Sequence, residues 1–176
     1  MEETETQAQP RPPSTPILIV GLDGVLDDYD RILRIGGRDR LIDNEWHLLH
    51  SDEARPRPWA ALALRQFRTA GWRVVILTSR TFAKAAEITK AWLDKYDFQR
   101  DGLVFVPSVH VKPLAINAMR PKPRLMVDDF MAGYETPCPR FLSEAYEGCR
   151  AAGTTVDIYR NNWSEIVERW LGNTIR

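Results

Sequence analysis

Four stretches of this chain each bring a residue able to do chemistry to the end of an apolar run or the start of a helix. Asp23 follows "ILIVGL" at 17–22, with Asp27 and Asp28 further on. Thr78 ends "RVVILT", and Ser79 and Arg80 come next. Lys112 stands before "PLAINAM", and Asp128 and Asp129 close "RLMVDD". Carboxylates gathered within ~4 Å repel by about 4 kcal/mol per pair at an effective dielectric near 20. A hard cation relieves that repulsion, and Mg2+ takes oxygen ligands while keeping several waters. Mg2+ in turn attracts phosphate, whose remaining oxygens suit the Thr78 hydroxyl and the Lys112 ammonium. Asp23, Asp128 and Asp129 are therefore expected to hold Mg2+. Asp23, Thr78 and Lys112 are expected to act on a phosphoryl group, with Lys122 a rival for the lysine's part.

The elements that must position these residues are legible as apolar runs at 17–22, 73–78, 103–107, 124–128 and 155–159. The runs are continuous rather than alternating, which predicts strands covered on both faces. Helical patterns lie between them at 58–70, 83–96, 112–119, 140–151 and 163–171. Pro58 and Pro113 suit first turns and Gly71 suits a helix end. Strand and helix in alternation predict an α/β fold with a parallel five-stranded sheet between helix layers. Ligands of such sheets bind at the carboxyl ends of the strands, where the candidate residues fall.

Composition narrows the function classes. The chain has 176 residues, 24 Lys and Arg against 24 Asp and Glu, and 44% apolar residues. That describes one domain of ordinary globular make-up with no global field toward nucleic acid or membrane. Basic residues cluster at 55–73 and 112–124, and solvated surface is the default reading of both. Cys138 and Cys149 are too few for a disulfide framework, and His47, His50 and His110 show no recognisable zinc spacing. The acidic start and the lack of a long apolar run predict a protein without leader or membrane span, in a reducing, cytoplasmic setting. Residues 1–16 hold three Glu and four Pro and should form a disordered tail. Residues 17–176 should form a single domain. The charged section 27–57, with Gly36-Gly37 at a likely hairpin tip, interrupts the rhythm and is expected to be a flap or minimal cap. Flap and tail are both candidate surfaces for a protein partner, and Trp46 in the flap is the tryptophan suited to base stacking.

With those motifs in place, the chain resembles the haloacid dehalogenase (HAD) superfamily of phosphohydrolases over roughly residues 17–170. "GLDGVL" at 21–26 matches the family's first motif, Asp-x-Asp-Gly-(Thr/Val)-(Leu/Val), except at its first position. "VVILT" with Thr78, Lys112 before a helix, and "RLMVDD" match the second, third and fourth motifs. The resemblance implies a three-layer Rossmann-like fold with a small cap insertion, Mg2+ as cofactor, and Gly24, Ser79 and Arg80 beside the substrate. "TSR" at 78–80 is similar to the phosphatase domain of polynucleotide kinases, where Ser-Gly-Arg stands at this place. That likeness points to a phosphorylated small molecule or nucleic-acid end as ligand.

Gly21 departs from the family pattern. The resemblance implies an aspartate there that attacks phosphorus and ligates Mg2+, with Asp23 as the acid/base. Glycine offers neither a nucleophile nor a ligand. Three readings follow: a pseudoenzyme that binds its phosphorylated ligand, a phosphohydrolase in which a metal-bound water attacks, and a scaffold for a protein partner. Removing a covalent nucleophile commonly removes several orders of magnitude in rate, each tenfold being about 1.4 kcal/mol.

Overall fold

In the computed structural model the described residues are 15–28, 53–82, 84–132 and 140–173. The expected tail up to residue 14, and 29–52 of the expected flap with Gly36, Gly37, Trp46, His47 and His50, lie outside them, as does Cys138. Five parallel strands form one sheet: β1 (Ile17–Val20), β2 (Arg73–Thr78), β3 (Gly102–Phe105), β4 (Leu125–Asp128) and, last in the chain, β7 (Thr155–Ile158), in the order β3-β2-β1-β4-β7. Their bounds fall within two residues of the apolar runs. The helices are α1 (Ala60–Thr69), α2 (Ala85–Lys95), α3 (Lys112–Ala118), α4 (Ser143–Ala151) and α5 (Trp163–Leu171).

Side chains alternate across each strand, so a central strand needs apolar residues on both faces. Leu18, Val20, Val74, Ile76, Leu125 and Val127 face α1, α2 and α5, against Leu64, Phe67, Trp92 and Trp163. Ile17, Ile19, Val75, Leu77 and Met126 face α3 and α4, against Ile116, Ala145 and Cys149. Each such side chain taken fully from water is worth about 1.5–3 kcal/mol. Burial, the larger cause, and the nearby Asp128 charge push the Cys149 thiol up to about 12, so it packs as an inert small hydrophobe. No described helix is long and apolar enough to cross a membrane.

Two helix starts differ from the sequence pattern. The first helix begins at Ala60 rather than Pro58, after Trp59 in the left-handed region at φ 66°. The chain has just paired with the β1 loop through Arg57 and must turn sharply into α1. Such a conformation costs a non-glycine residue about 1–2 kcal/mol. At 140–151 the first three residues are not helical. Arg140–Phe141 form β6, antiparallel to β5 (Met131–Ala132), while the Leu142 amide donates to the Phe130 carbonyl. This ribbon carries no alternating signature long enough to be seen in the sequence.

The two ends of the 27–57 section are joined to each other. The Asp28 amide donates to the Arg55 carbonyl at 2.9 Å, the Arg55 amide donates to Asp28 Oδ1 at 2.6 Å, and Asp27 and Pro56 form an antiparallel bridge. Two indoles secure the same region. Trp92 Nε1 donates to the Ala54 carbonyl at 2.8 Å, and Trp163 Nε1 donates to the Val25 carbonyl at 3.0 Å. Trp163→Phe leaves that buried carbonyl without its donor. A urea melt should show a loss of about 1–3 kcal/mol, and an unchanged midpoint would mean the bond does not hold the loop.

Candidate functional site

The site forms where β1, β2 and β4 end. After Val20 the chain turns tightly: the Val25, Leu26 and Asp27 amides all donate to the Leu22 carbonyl, at 3.2, 2.8 and 3.4 Å. Gly24 sits at φ +77°, a left-handed position that glycine occupies without strain. Its amide donates to Asp27 Oδ1 at 3.1 Å. A side chain at Gly24 would run into Asp129 Oδ2, so close approach of the fourth motif also requires glycine there. Arg57 Nε reaches back to the Gly24 and Asp27 carbonyls at 3.2 and 3.0 Å.

One ionic cluster occupies the β2 side of this turn. Arg80 is 3% exposed and lies between two carboxylates. Its Nε and Nη2 donate to Asp23 Oδ1 at 2.8 and 2.6 Å, and Nη2 also donates to Asp27 Oδ2 at 2.7 Å. Nη1 donates to Thr89 Oγ1 on α2 at 3.3 Å. The Thr78 hydroxyl donates to Asp23 Oδ2 at 3.5 Å and accepts the Arg80 amide at 3.3 Å. The structure thus brings Asp23, Thr78 and Arg80 together, with the Arg80 guanidinium directed at Asp23, Asp27 and Thr89. Ser79 is half-buried at the rim. Neither its amide nor that of Asp23 donates to a backbone carbonyl among the described residues.

A second cluster occupies the β4 side. Lys112, 6% exposed, donates through Nζ to Asp128 Oδ2 at 2.5 Å, and its ammonium lies 5.8 Å from the Phe130 ring centroid. Asp128 Oδ1 accepts the Phe130 amide at 2.9 Å. This carboxylate fills the space beside Gly21. A Cβ there would stand 2.5 Å from Asp128 Oδ2, 2.9 Å from its Cγ and 3.2 Å from Val25 Cγ2. The Oδ atoms of an aspartate lie about as far from their own Cβ as Asp128 Oδ2 lies from this one. β4 therefore places a carboxylate oxygen in the space that a side chain at position 21 would enter. The rival Lys122 is elsewhere, donating to the Ala152 carbonyl and Asn117 Oδ1.

Asp129 carries the unbalanced charge. Burial first, and then the Asp128 charge, raise its carboxyl from 3.8 to about 7, against smaller opposing effects of the Met131 amide and Lys112. Among the described residues no group of three or more His, Cys, Asp or Glu side chains is close enough to hold a metal on protein ligands alone. Mg2+ needs less than that, because one or two carboxylates with waters and ligand phosphate oxygens suffice. Asp128 and Asp129 supply that number beside the β1 turn, and a cation there would relieve the charge on Asp129. The residues fit the ion, with Asp23 limited to its main chain while its carboxylate stays with Arg80.

Arg57 and Thr89 are the site residues that sequence reasoning did not single out. Asp27, one of the acids that follow the first apolar run, is fully buried. A depression of about 520 Å3, lined by Arg68, Asp94, Asp97 and Arg100 among others, lies at the opposite, amino end of the sheet. It shares no residue with the site.

No protein-family model matches the sequence. No curated protein matches it either. Solved structures do. A chain of the Pnkp1/Rnl/Hen1 RNA repair complex aligns with a TM-score of 0.54 at 19% identity, over 90% of this chain and 47% of that one. A second structure of the Pnkp1/Rnl/Hen1 complex gives 0.56 at 19%, over 90% and 51%. A hydrolase from Streptococcus pneumoniae TIGR4 aligns with a TM-score of 0.62 at 12% identity, over 89% of this chain and 98% of that one. The chain spans about half the length of the RNA repair complex chains it matches. These likenesses show the fold alone, a Rossmann-like α/β fold with a parallel sheet between helix layers.

Two outcomes follow from the charges. Asp129 contributes stability that is complete below pH 3.8 and is lost as pH rises through about 7, because the unfolded chain ionises first. In EDTA, Asp129→Asn should melt like the native protein near pH 4 and several degrees higher above pH 7. Equal melting temperatures across the range would show that Asp129 is not strained. Arg80→Met strands Asp23 and Asp27 and should lose about 3–5 kcal/mol in a denaturant titration.

Proposed function

We propose that this protein binds Mg2+ and the phosphorylated end of a nucleotide or nucleic acid at the rim of β1, β2 and β4, and holds it without covalent turnover. The observation that carries this reading is the pairing of Gly21 with Asp128. The position that supplies the attacking carboxylate in the HAD pattern is a glycine, and the Asp128 carboxylate beside it is immobilised by Lys112 and the Phe130 amide. A carboxylate held by a buried ammonium is a poor nucleophile, because attack would strand the lysine charge. Asp23 is likewise engaged by Arg80, so no base stands ready for a water.

Binding asks less of the site. The Asp23 and Ser79 amides offer donors at the strand ends. The Thr78 hydroxyl can turn to an anion from its long 3.5 Å bond to Asp23, and the Lys112 ammonium lies beside them, as an anion requires. Bound Mg2+ would supply positive charge between Asp128, Asp129 and the ligand's oxygens. Asp128 would then exchange its lysine for the ion, and Lys112 would turn to the phosphoryl group. The choice of a nucleotide or nucleic-acid end is supported by the Thr78-Ser79-Arg80 stretch and by the likeness to a chain of an RNA repair complex.

Thermal shift with Mg2+ and a 3'-phosphorylated oligonucleotide tests the binding, with the 3'-hydroxyl oligonucleotide as control. Stabilisation by the phosphorylated strand alone is expected. An equal response to both, or none, would remove the reading. Phosphate release should stay at background, and robust native turnover that depends on Asp23 would replace it with direct attack by water. Gly21→Ala forces Asp128 aside and should cost about 1–3 kcal/mol with no recovery in Mg2+. Gly21→Asp should lose as much in EDTA, recover in Mg2+, and gain phosphatase activity over the native chain.

A further inference from the structure

The two basic clusters of the sequence, at 55–73 and 112–124, are far apart in the chain, yet parts of both meet at the amino end of the sheet. Arg73 opens β2 and Arg124 immediately precedes β4. The strands between them hold register: Ile17 pairs with Arg73, and the Arg124 amide donates to the Ile17 carbonyl at 2.9 Å. Two strand spacings of about 4.8 Å therefore set these arginines roughly 10 Å apart on either side of β1. Arg120 and Lys122 follow from the connection into β4, and Lys122 is fixed toward β7 by its bond to the Ala152 carbonyl at 2.8 Å. All four cations are exposed.

Their partners set them apart from most other arginines of the described surface. Arg65, Arg68, Arg100, Arg150 and Arg169 each pair with an acid, Asp97, Asp101, Asp94, Glu147 and Asp157 respectively. Arg73, Arg120, Lys122 and Arg124 have no acidic partner among the described residues. Arg120 donates to the Asn117 and Met119 carbonyls at 2.7 Å, and the Arg124 guanidinium lies 5.5 Å from the Trp72 ring centroid. A guanidinium braced on an aromatic face loses little freedom when it takes an anion, and its edge donors suit phosphate oxygens.

We infer that the Arg73–Arg120–Lys122–Arg124 face binds the phosphodiester backbone of single-stranded nucleic acid. The preference for this polymer over an acidic protein rests on the proposed function, in which the ligand at the rim is the phosphorylated end of such a strand. The face lies about 15 Å from the rim by strand rise, so it would engage phosphates some nucleotides away from that end.

The test is fluorescence anisotropy of the full chain with a labelled single-stranded oligonucleotide that ends in a 3'-hydroxyl, in EDTA, from 25 to 200 mM salt. Without terminal phosphate or Mg2+ the rim is silent, so this result and that for the rim fail or succeed separately. Arg73→Glu with Arg124→Glu should weaken binding at least tenfold. It should also flatten the plot of log affinity against log salt by about 1.4, at roughly 0.7 per lost phosphate contact. Arg65→Glu with Arg150→Glu changes net charge equally and should alter affinity less than twofold. Equal losses in the two double variants, or no native binding at 25 mM salt, would overturn the inference. Polyglutamate competing as well as an oligonucleotide of equal charge would also overturn it, in favour of an acidic protein. Unchanged melting temperatures in both variants exclude unfolding as the cause.

Discussion

The conformation of the rim depends on one buried cation. Arg80 has left water almost completely, and a guanidinium in that position is tolerable only if carboxylates surround it. Asp23 and Asp27 meet that demand from the two ends of the turn after β1, with Thr89 on the helix side. The turn cannot relax without stranding a charge, so the backbone at 21–24 is held rigidly against β4. Lys112 and Asp128 repeat the arrangement on the other flank. Two cations thus pair with three of the four carboxylates, and Asp129 is left as the one whose ionisation is resisted.

This balance changes the meaning of the glycine at position 21. A lost side chain in a packed interior ordinarily leaves a cavity and weakens the fold. Here Asp128 fills the space, satisfied through both of its oxygens. The rim is therefore filled beside Gly21 by the Asp128 carboxylate. The likeness to solved structures is a statement about architecture, since a shared fold carries no activity with it.

Most of the architecture was legible because continuous apolar runs and intervening helical periods have few other solutions. All five strands of the main sheet fall on those runs, and Thr78, Lys112 and Asp128 were visible as the residues that end or follow them. What escaped notice was pairing over distance. Arg80 and Asp27 are 53 residues apart and nothing in either local sequence marks the contact. Arg80 reads from its neighbours as a group for substrate, whereas its donors face protein carboxylates. The β5–β6 ribbon was missed for a related reason: two-residue strands carry too little pattern to compete with the helical period beside them. Arg73 and Arg124 each looked like ordinary surface, and only the register across β1 shows them as neighbours.

The joined ends of the 27–57 section have a consequence for how this protein can vary. Asp28 and Arg55 are locked to each other by two hydrogen bonds, and the segment between them departs and returns through a single narrow neck. When the ends of a loop are already pinned together, each doubling of its length adds only about 0.6 kcal/mol of closure entropy. Closure of the neck itself would scarcely register a change in the length of the intervening chain. Such a junction lets the connection grow or shrink at little entropic cost while its two ends keep their places beside the sheet.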